Sequence, residues 1–136
     1  MSYLYRTLAD DIATAINGQY TAIQCYKKLA RLAPNEAERN RIKEIRQDEK
    51  KHFRAFQQIY TQITGRQHEP QIVEECATDY RLGLDLAFND EQNTVDFYLD
   101  IAEQTQDLYI KETFKRAAAD EQNHAVWFLY MLTKRR

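Results

Sequence analysis

The sequence predicts an all-α fold, an antiparallel four-helix bundle, and three observations lead to it. The 136 residues include only three glycines and two prolines, so residues that break helices are scarce. Apolar residues recur at alternating steps of three and four along four segments, which indicates packed helices and excludes strands. The second half repeats the first at a shift of about 72 residues, so one helical hairpin occurs twice.

Helix-breaking residues set the expected boundaries. Pro34 lies between the first and second helices, and Gly65 with Pro70 ends the second. The length fits a single domain over residues 1–136. We predict helices at 3–33, 36–64, 79–104 and 108–134.

The predicted connection between the second and third helices is roughly fifteen residues, longer than most helix–helix links. A connection of this length suits a crossover that runs along the bundle. Within it, a short helix from Ile72 to Cys76 is an open alternative to a loop.

Polar residues interrupt the apolar stripe near the middle of each helix. The motif Asp-Glu-x-x-His occurs on the second helix at 48–52 and on the fourth at 120–124, in matching positions of the repeat. Gln19 on the first helix falls on Glu91 on the third. The candidate site residues on the core stripes are Gln19, Glu49, His52, Glu91, Glu121 and His124.

These residue types in the core indicate a metal site. A buried carboxylate without a partner is unfavourable, so it is paired, protonated or bound to metal. Residues three apart share a helix face, so each Glu-x-x-His unit can present both side chains to one cation. Two such units, with one carboxylate from each remaining helix, form the cage of di-iron and di-manganese proteins. Iron or manganese suits these oxygen and nitrogen ligands, and zinc is possible. A metal-free network of Glu–His pairs remains the alternative.

The chain resembles the ferritin-like superfamily over essentially its whole length, nearest the small rubrerythrin-type members. The resemblance rests on the two Asp-Glu-x-x-His motifs and on Glu91, seven residues before Tyr98. In that family the first helix also carries a Glu seven residues before a Tyr, whereas here Gln19 precedes Tyr26. The metal ligands that the resemblance implies are Glu49, His52, Glu91, Glu121 and His124, with Gln19 as a weak sixth.

The resemblance also implies supporting residues around the ligands. Asp48 and Asp120 would each accept a hydrogen bond from a metal-bound histidine on the opposite helix, although a solvated aspartate is an equal alternative. For Tyr26 and Tyr98, a core tyrosine with a satisfied hydroxyl and a tyrosine bonded to a ligand carboxylate both remain open.

Gln19 changes the charge balance of the predicted site. Two divalent cations carry four positive charges, and the remaining three carboxylates leave about one charge uncompensated in a medium of low dielectric constant. We therefore predict one firmly held metal ion, with the second weak or absent.

Three functions are compatible with this site. The resemblance implies a redox protein that reduces peroxide or dioxygen in stress protection. The chain has no Cys-x-x-Cys pair for a rubredoxin-type centre, so an external electron donor would be needed. Iron storage in a large oligomer is a second hypothesis, less favoured because ferritins commonly carry one Glu-x-x-His unit. The third is a non-catalytic interaction protein on a scaffold whose metal site has degenerated.

Composition and targeting signals limit the partners. A net charge of −2 gives no case for nucleic acid or an acidic membrane surface. The longest apolar run, Ala125 to Leu132, is too short to span a bilayer, and the first six residues do not resemble a signal peptide. Two cysteines, Cys25 and Cys76, do not make a disulfide framework. We therefore expect a cytoplasmic protein with reduced thiols.

The fourth helix suggests self-association. Between Ala125 and Leu132 it is apolar on every side, with Trp127 and Tyr130 off the core stripe. Because a helix that is apolar all round is buried all round, we expect a homodimer through this face.

Overall fold

The computed structural model describes residues 7–135, which form four helices and no strand. The helices are α1 Leu8–Leu32, α2 Glu36–Thr64, α3 Tyr80–Gln104 and α4 Leu108–Thr133. The predicted all-α class is therefore confirmed, and the boundaries agree within one residue except at the start of α1. Residues 3–6 of the predicted first helix lie outside the described residues.

Side-chain caps explain where the helices start. In each case the capping side chain accepts a hydrogen bond from a backbone N–H three residues further on, which satisfies one of the free donors of the first turn. The four caps are Thr7, Asn35, Asp79 and Asp107. At the other end of α2, Gly65 has a φ of 81°, a left-handed conformation that glycine adopts without strain.

The four helices form two hairpins, α1 with α2 and α3 with α4. The hairpins pack together with α1 beside α3 and α2 beside α4. Near one end of the bundle Gln104 Nε2 donates to Asp11 Oδ2 at 2.7 Å, and at the other end Gly83 lies against Leu29. These contacts show that α1 and α3 run antiparallel. The predicted bundle of two repeated hairpins, with a long crossover between α2 and α3, is confirmed.

The crossover lies along one face of α1. The backbone N–H of Gln71 donates to Asn17 Oδ1 at 2.9 Å, and that of Val73 donates to Thr21 Oγ1 at 3.1 Å. Side chains of α1 thus satisfy backbone groups that a local helix would otherwise bond. The possible short helix at 72–76 is accordingly absent from the described structure.

Cys25 and Cys76 form a disulfide that joins the crossover to α1. The expectation of reduced thiols is therefore wrong. Cys25 is one helical turn beyond Thr21, and the crossover, following α1, brings Cys76 to a Cα–Cα distance of 5.1 Å from it. Counting cysteines could exclude a multi-bridge framework, but it could not reveal that the crossover returns along α1.

The core consists of two apolar clusters with a polar layer between them. One cluster fills the end of the bundle near the α3–α4 turn, and the other fills the opposite end. The aromatic members of the first are Phe56, Tyr60, Tyr98 and Phe114, and those of the second are Tyr26 and Phe128. Among the helices described, none is long and apolar enough to cross a membrane.

Removal of the disulfide should destabilise the fold. The bridge joins residues separated by 51 positions, and loss of a crosslink of that length increases the chain entropy of the unfolded state. We expect the double variant Cys25→Ser, Cys76→Ser to lose about 2–4 kcal/mol of unfolding free energy in urea titrations. Dithiothreitol should destabilise the wild type similarly and leave the double variant unchanged. An identical wild-type midpoint with and without reductant would contradict this prediction.

Candidate metal centre

Six buried polar side chains form the layer between the two apolar clusters. None of them is more than 7% exposed. The helices α1 and α3 each supply one and α2 and α4 each supply two, because positions three or four apart fall on the same inward face. The six are Gln19, Glu49, His52, Glu91, Glu121 and His124.

Four of these side chains converge on the side of the layer next to α3 and α4. One ligand atom from each of Glu49, Glu91, Glu121 and His124 lies within 4.8 Å of all the others. The Nδ1 atom of His124 is 3.6 Å from Glu91 Oε1 and 3.4 Å from Glu121 Oε1. Three carboxylates and one imidazole at these separations can surround a single divalent cation.

The other side of the layer has a different ligand set. The Nδ1 atom of His52 is 3.1 Å from Glu49 Oε1 and 3.4 Å from Glu121 Oε1. The Nδ1 atom of His124 is 3.8 Å from Glu49 Oε2 and 3.4 Å from Glu121 Oε1, so these two carboxylates lie between the two imidazoles. The repeat equivalent of Glu91 is Gln19, whose Nε2 donates to the Tyr98 hydroxyl. This side therefore has an amide where the first has a carboxylate.

Four buried atoms in the layer have no hydrogen-bond partner. Buried polar atoms are almost always satisfied, and a cluster of exceptions needs an explanation. All four can offer a lone pair, so cations within the layer would satisfy them together. They are Gln19 Oε1, Glu91 Oε1, Glu121 Oε1 and His124 Nδ1. The residues therefore fit a divalent metal centre.

Two aspartates hold the histidines from outside the layer. His52 Nε2 lies 2.9 Å from Asp120 Oδ2, and His124 Nε2 lies 2.8 Å from Asp48 Oδ2. Each contact crosses between α2 and α4. When Nε2 carries the proton that the aspartate accepts, Nδ1 faces the centre with a free lone pair.

The tyrosines make two different contacts. Tyr26 donates its hydroxyl to Glu91 Oε2 at 2.6 Å, leaving Oε1 of that carboxylate free. The Tyr98 hydroxyl instead accepts a hydrogen bond from the Gln19 amide. Both rings are buried in the apolar clusters. Tyr26 therefore contacts a candidate ligand carboxylate, whereas Tyr98 contacts the amide of Gln19.

The electrostatics show how the metal-free layer balances its charge. Burial raises the pKa of Glu91 to about 7 and also raises the pKa of Glu121. Burial opposes protonation of His52, but Asp120, Glu121 and Glu49 outweigh it and raise its pKa to about 11. Without a bound cation, these pKa shifts favour the neutral form of Glu91 and the protonated form of His52.

A cavity of about 450 Å³ connects this layer with the space between α1 and α3. Gln19, Glu91 and Glu121 lie at its inner end, and Cys25 and Cys76 contribute to its wall. The sequence analysis did not place Cys25 or Cys76 near the site, because neither cysteine belongs to the polar motifs of the core. The cavity therefore adjoins the candidate metal centre.

Comparisons with known proteins agree with the fold. The model of the family described as Ferritin-like domain matches residues 8–134. The uncharacterized protein YhjR of Bacillus subtilis (strain 168) is 54% identical over 128 residues, which cover 94% of this chain and 88% of that protein. A solved structure, a hypothetical protein from Pyrococcus furiosus, is similar with a TM-score of 0.79 at 23% identity. It covers 93% of this chain and 89% of that chain, and at this identity it shows the fold alone.

Stability of the metal-free protein should fall as the pH rises from about 5 to about 8. The folded-state pKa of Glu91 is about 7, above the ordinary value of about 4.3. Between these values the folded chain keeps a proton that the unfolded chain releases, so raising the pH favours unfolding. The raised pKa of His52 acts in the same direction above about pH 6.5.

Glu91→Gln should make this pH dependence shallower, since it removes one of the contributing groups. Urea titrations in chelator at several pH values would measure the slope. Glu103→Gln, on the exposed surface of the same helix, is the matched control and should retain the wild-type slope. Equal slopes for both variants would show that Glu91 does not carry the effect.

Proposed function

Because the chain belongs to the ferritin-like domain family, we propose that it is a metal-binding carboxylate protein of the rubrerythrin type that reduces hydrogen peroxide. The observation that supports this most strongly is the set of buried lone-pair atoms without partners around Glu91, Glu121 and His124. Those atoms have the chemistry of iron or manganese ligands, with zinc as a non-redox substitute. Dioxygen is the alternative oxidant.

The proposed ligands form two halves of one site. The complete half has the carboxylate of Glu91, and the altered half has the amide of Gln19 in the equivalent position. Glu91 and His124 would hold the metal of the complete half, and His52 with the weak ligand Gln19 would hold that of the altered half. Glu49 and Glu121, which lie between the two imidazoles, would serve both halves. A bound metal would supply the redox chemistry, in which two electrons and two protons convert hydrogen peroxide into two water molecules. The electrons would come from a separate reduced carrier protein.

The surrounding residues prepare the ligands. Asp48 and Asp120 orient the imidazoles, and Tyr26 fixes one oxygen of Glu91 so that the other faces the centre. The apolar clusters exclude bulk water above and below, and this strengthens electrostatic interactions within the layer. The cavity between α1 and α3 is the proposed route for the oxidant.

Metal content is the first experiment. We expect about one firmly held metal ion per chain after anaerobic loading and desalting, since Gln19 leaves the altered half short of one negative charge. Gln19→Glu should raise this value toward two. Gln58→Glu adds the same charge on the exposed surface of α2 and should leave the value unchanged. Elemental analysis would measure all three proteins.

The outcomes separate the elements of this proposal. Two ions in the wild type would contradict the role assigned to Gln19, while equal values in both variants would contradict the charge argument. No metal after loading would overturn the metal function. If metal binds, consumption of hydrogen peroxide by the reduced, loaded protein tests the redox activity.

A non-catalytic interaction protein on a degenerate metal site is the second candidate. Gln19 favours it, because the substitution removes a carboxylate ligand, and so does the apolar surface of α4. This candidate predicts that chelator does not change stability, whereas bound metal stabilises the fold by an amount that rises with its concentration.

A homodimer through α4 also remains a proposal. Val126, Leu129 and Tyr130 are 56%, 46% and 51% exposed. Trp127 is a weaker contributor than the sequence suggested, because it is half-buried with the Arg41 guanidinium 3.7 Å from the centre of its ring. The exposed large apolar side chains of this segment are therefore Val126, Leu129 and Tyr130.

Sedimentation velocity at micromolar concentration should show a dimer that Leu129→Glu dissociates, because the substitution would bury a charge in the interface. Leu108→Glu, at the other end of the same helix, is the control and should stay dimeric. A monomeric wild type would remove the proposal.

We also propose a cytoplasmic location, with the disulfide as the observation against it. Disulfides are rare in the reducing cytosol of most organisms. Thiol alkylation of the protein immediately after cell lysis would show whether Cys25 and Cys76 are bonded there.

A further inference from the structure

The cavity between α1 and α3 is larger than hydrogen peroxide needs. Its volume of about 450 Å³ lies in the range of roughly 300–1,000 Å³ that is usual for small-molecule sites. A water molecule, which is smaller than hydrogen peroxide by one oxygen atom, occupies only about 30 Å³ in the liquid. The space therefore suits an organic molecule.

The two ends of the cavity differ in polarity. Gln19, a side chain only 2% exposed, contributes to the lining of the inner end, and its Oε1 atom has no hydrogen-bond partner. The wall on the side toward the N-terminal end of α3 is apolar and includes Leu29 and Leu86. A ligand that matches these features has a hydrogen-bond donor at one end and an apolar body.

The charges around the cavity favour an uncharged ligand. Acidic residues line it, including Glu74, Glu75 and Asp90 in addition to the carboxylates of the inner end. The described residues of the lining include no lysine, arginine or histidine. A fatty-acid anion would therefore meet like charges and no compensating cation.

We propose that this cavity binds an uncharged organic hydroperoxide, with the hydroperoxide group donating to Gln19 Oε1 and the organic body packed against Leu29 and Leu86. Gln19, in the altered half, then has a function of its own, which is to bind this ligand. An uncharged amide is a weaker ligand for a hard cation than a carboxylate, and Gln19 Oε1 has no partner in the structure, so this oxygen can accept a hydrogen bond from the ligand.

Reduction of this ligand rests on the proposed function, whereas its binding does not. The electrons and protons are those of the peroxide reduction above. The O–O bond breaks, and the hydroperoxide yields the corresponding alcohol and one water molecule.

Binding can be measured without metal or turnover. Cumyl alcohol, the unreactive alcohol that corresponds to cumene hydroperoxide, would be titrated into the chelated protein and followed by NMR chemical shifts. We expect saturable binding to the wild type and none of decanoate, which is an anion. Leu86→Trp, which fills the apolar wall, should weaken binding by about tenfold or more, equivalent to about 1.4 kcal/mol.

Leu99→Trp is the matched control. Leu99 lies on the same helix and is 37% exposed, against 36% for Leu86, but it does not line the cavity. It should bind cumyl alcohol within about twofold of the wild type. Absence of binding to the wild type, or equal weakening by the two tryptophan variants, would overturn the inference. Binding of decanoate as tight as that of cumyl alcohol would overturn the preference for an uncharged ligand.

The same proteins, loaded with metal and reduced, separate this inference from the proposed function. Consumption of hydrogen peroxide without any binding of cumyl alcohol would reject the organic ligand and retain the peroxide activity. Binding of cumyl alcohol without consumption of either peroxide would reject the activity and retain the site. If both hold, Leu86→Trp should slow consumption of cumene hydroperoxide more than that of hydrogen peroxide.

Discussion

The burial of three carboxylates in one layer of the bundle is the constraint on which the rest of the structure depends. Glu49, Glu91 and Glu121 are each at most 2% exposed, and desolvation of such groups costs several kcal/mol unless positive charge is close. The two imidazoles provide part of that charge, and their contacts with aspartates on the opposite helices hold them in place. The apolar clusters at either end then supply the packing that offsets the cost of this layer.

The internal repeat makes the consequences of Gln19 interpretable. In the complete half, Tyr26 donates to a carboxylate, so the charge on Glu91 is stabilised by a hydrogen bond in addition to any cation. In the altered half, the Tyr98 hydroxyl instead accepts a hydrogen bond from the Gln19 amide. The uncharged Oε1 atom of Gln19 is buried without a partner. One substitution therefore changes the charge and the direction of a hydrogen bond. The asymmetry is chemical, because the backbone repeat is retained.

The sequence predicted the helices and the polar layer well, because both depend on periodicity along a single helix. Steps of three and four identify the inward face, and a charged residue on that face, such as Glu91, is conspicuous. The path of the crossover could not be predicted in the same way. It depends on contacts such as Asn17 with Gln71, 54 positions apart, and no local pattern encodes them. The disulfide was missed for the same reason, as was the bond between Gln19 and Tyr98.

The crossover links the fold to access to the site. The α1 and α3 helices belong to different hairpins, so no short turn joins them, and the groove between them widens into the cavity. The crossover covers this groove and is attached to α1 by hydrogen bonds in its first half and by Cys76 in its second. A molecule that approaches Gln19 and Glu91 by this route must pass residues of both α3 and the crossover. The segment that connects the hairpins therefore also shapes the entrance to the candidate metal centre.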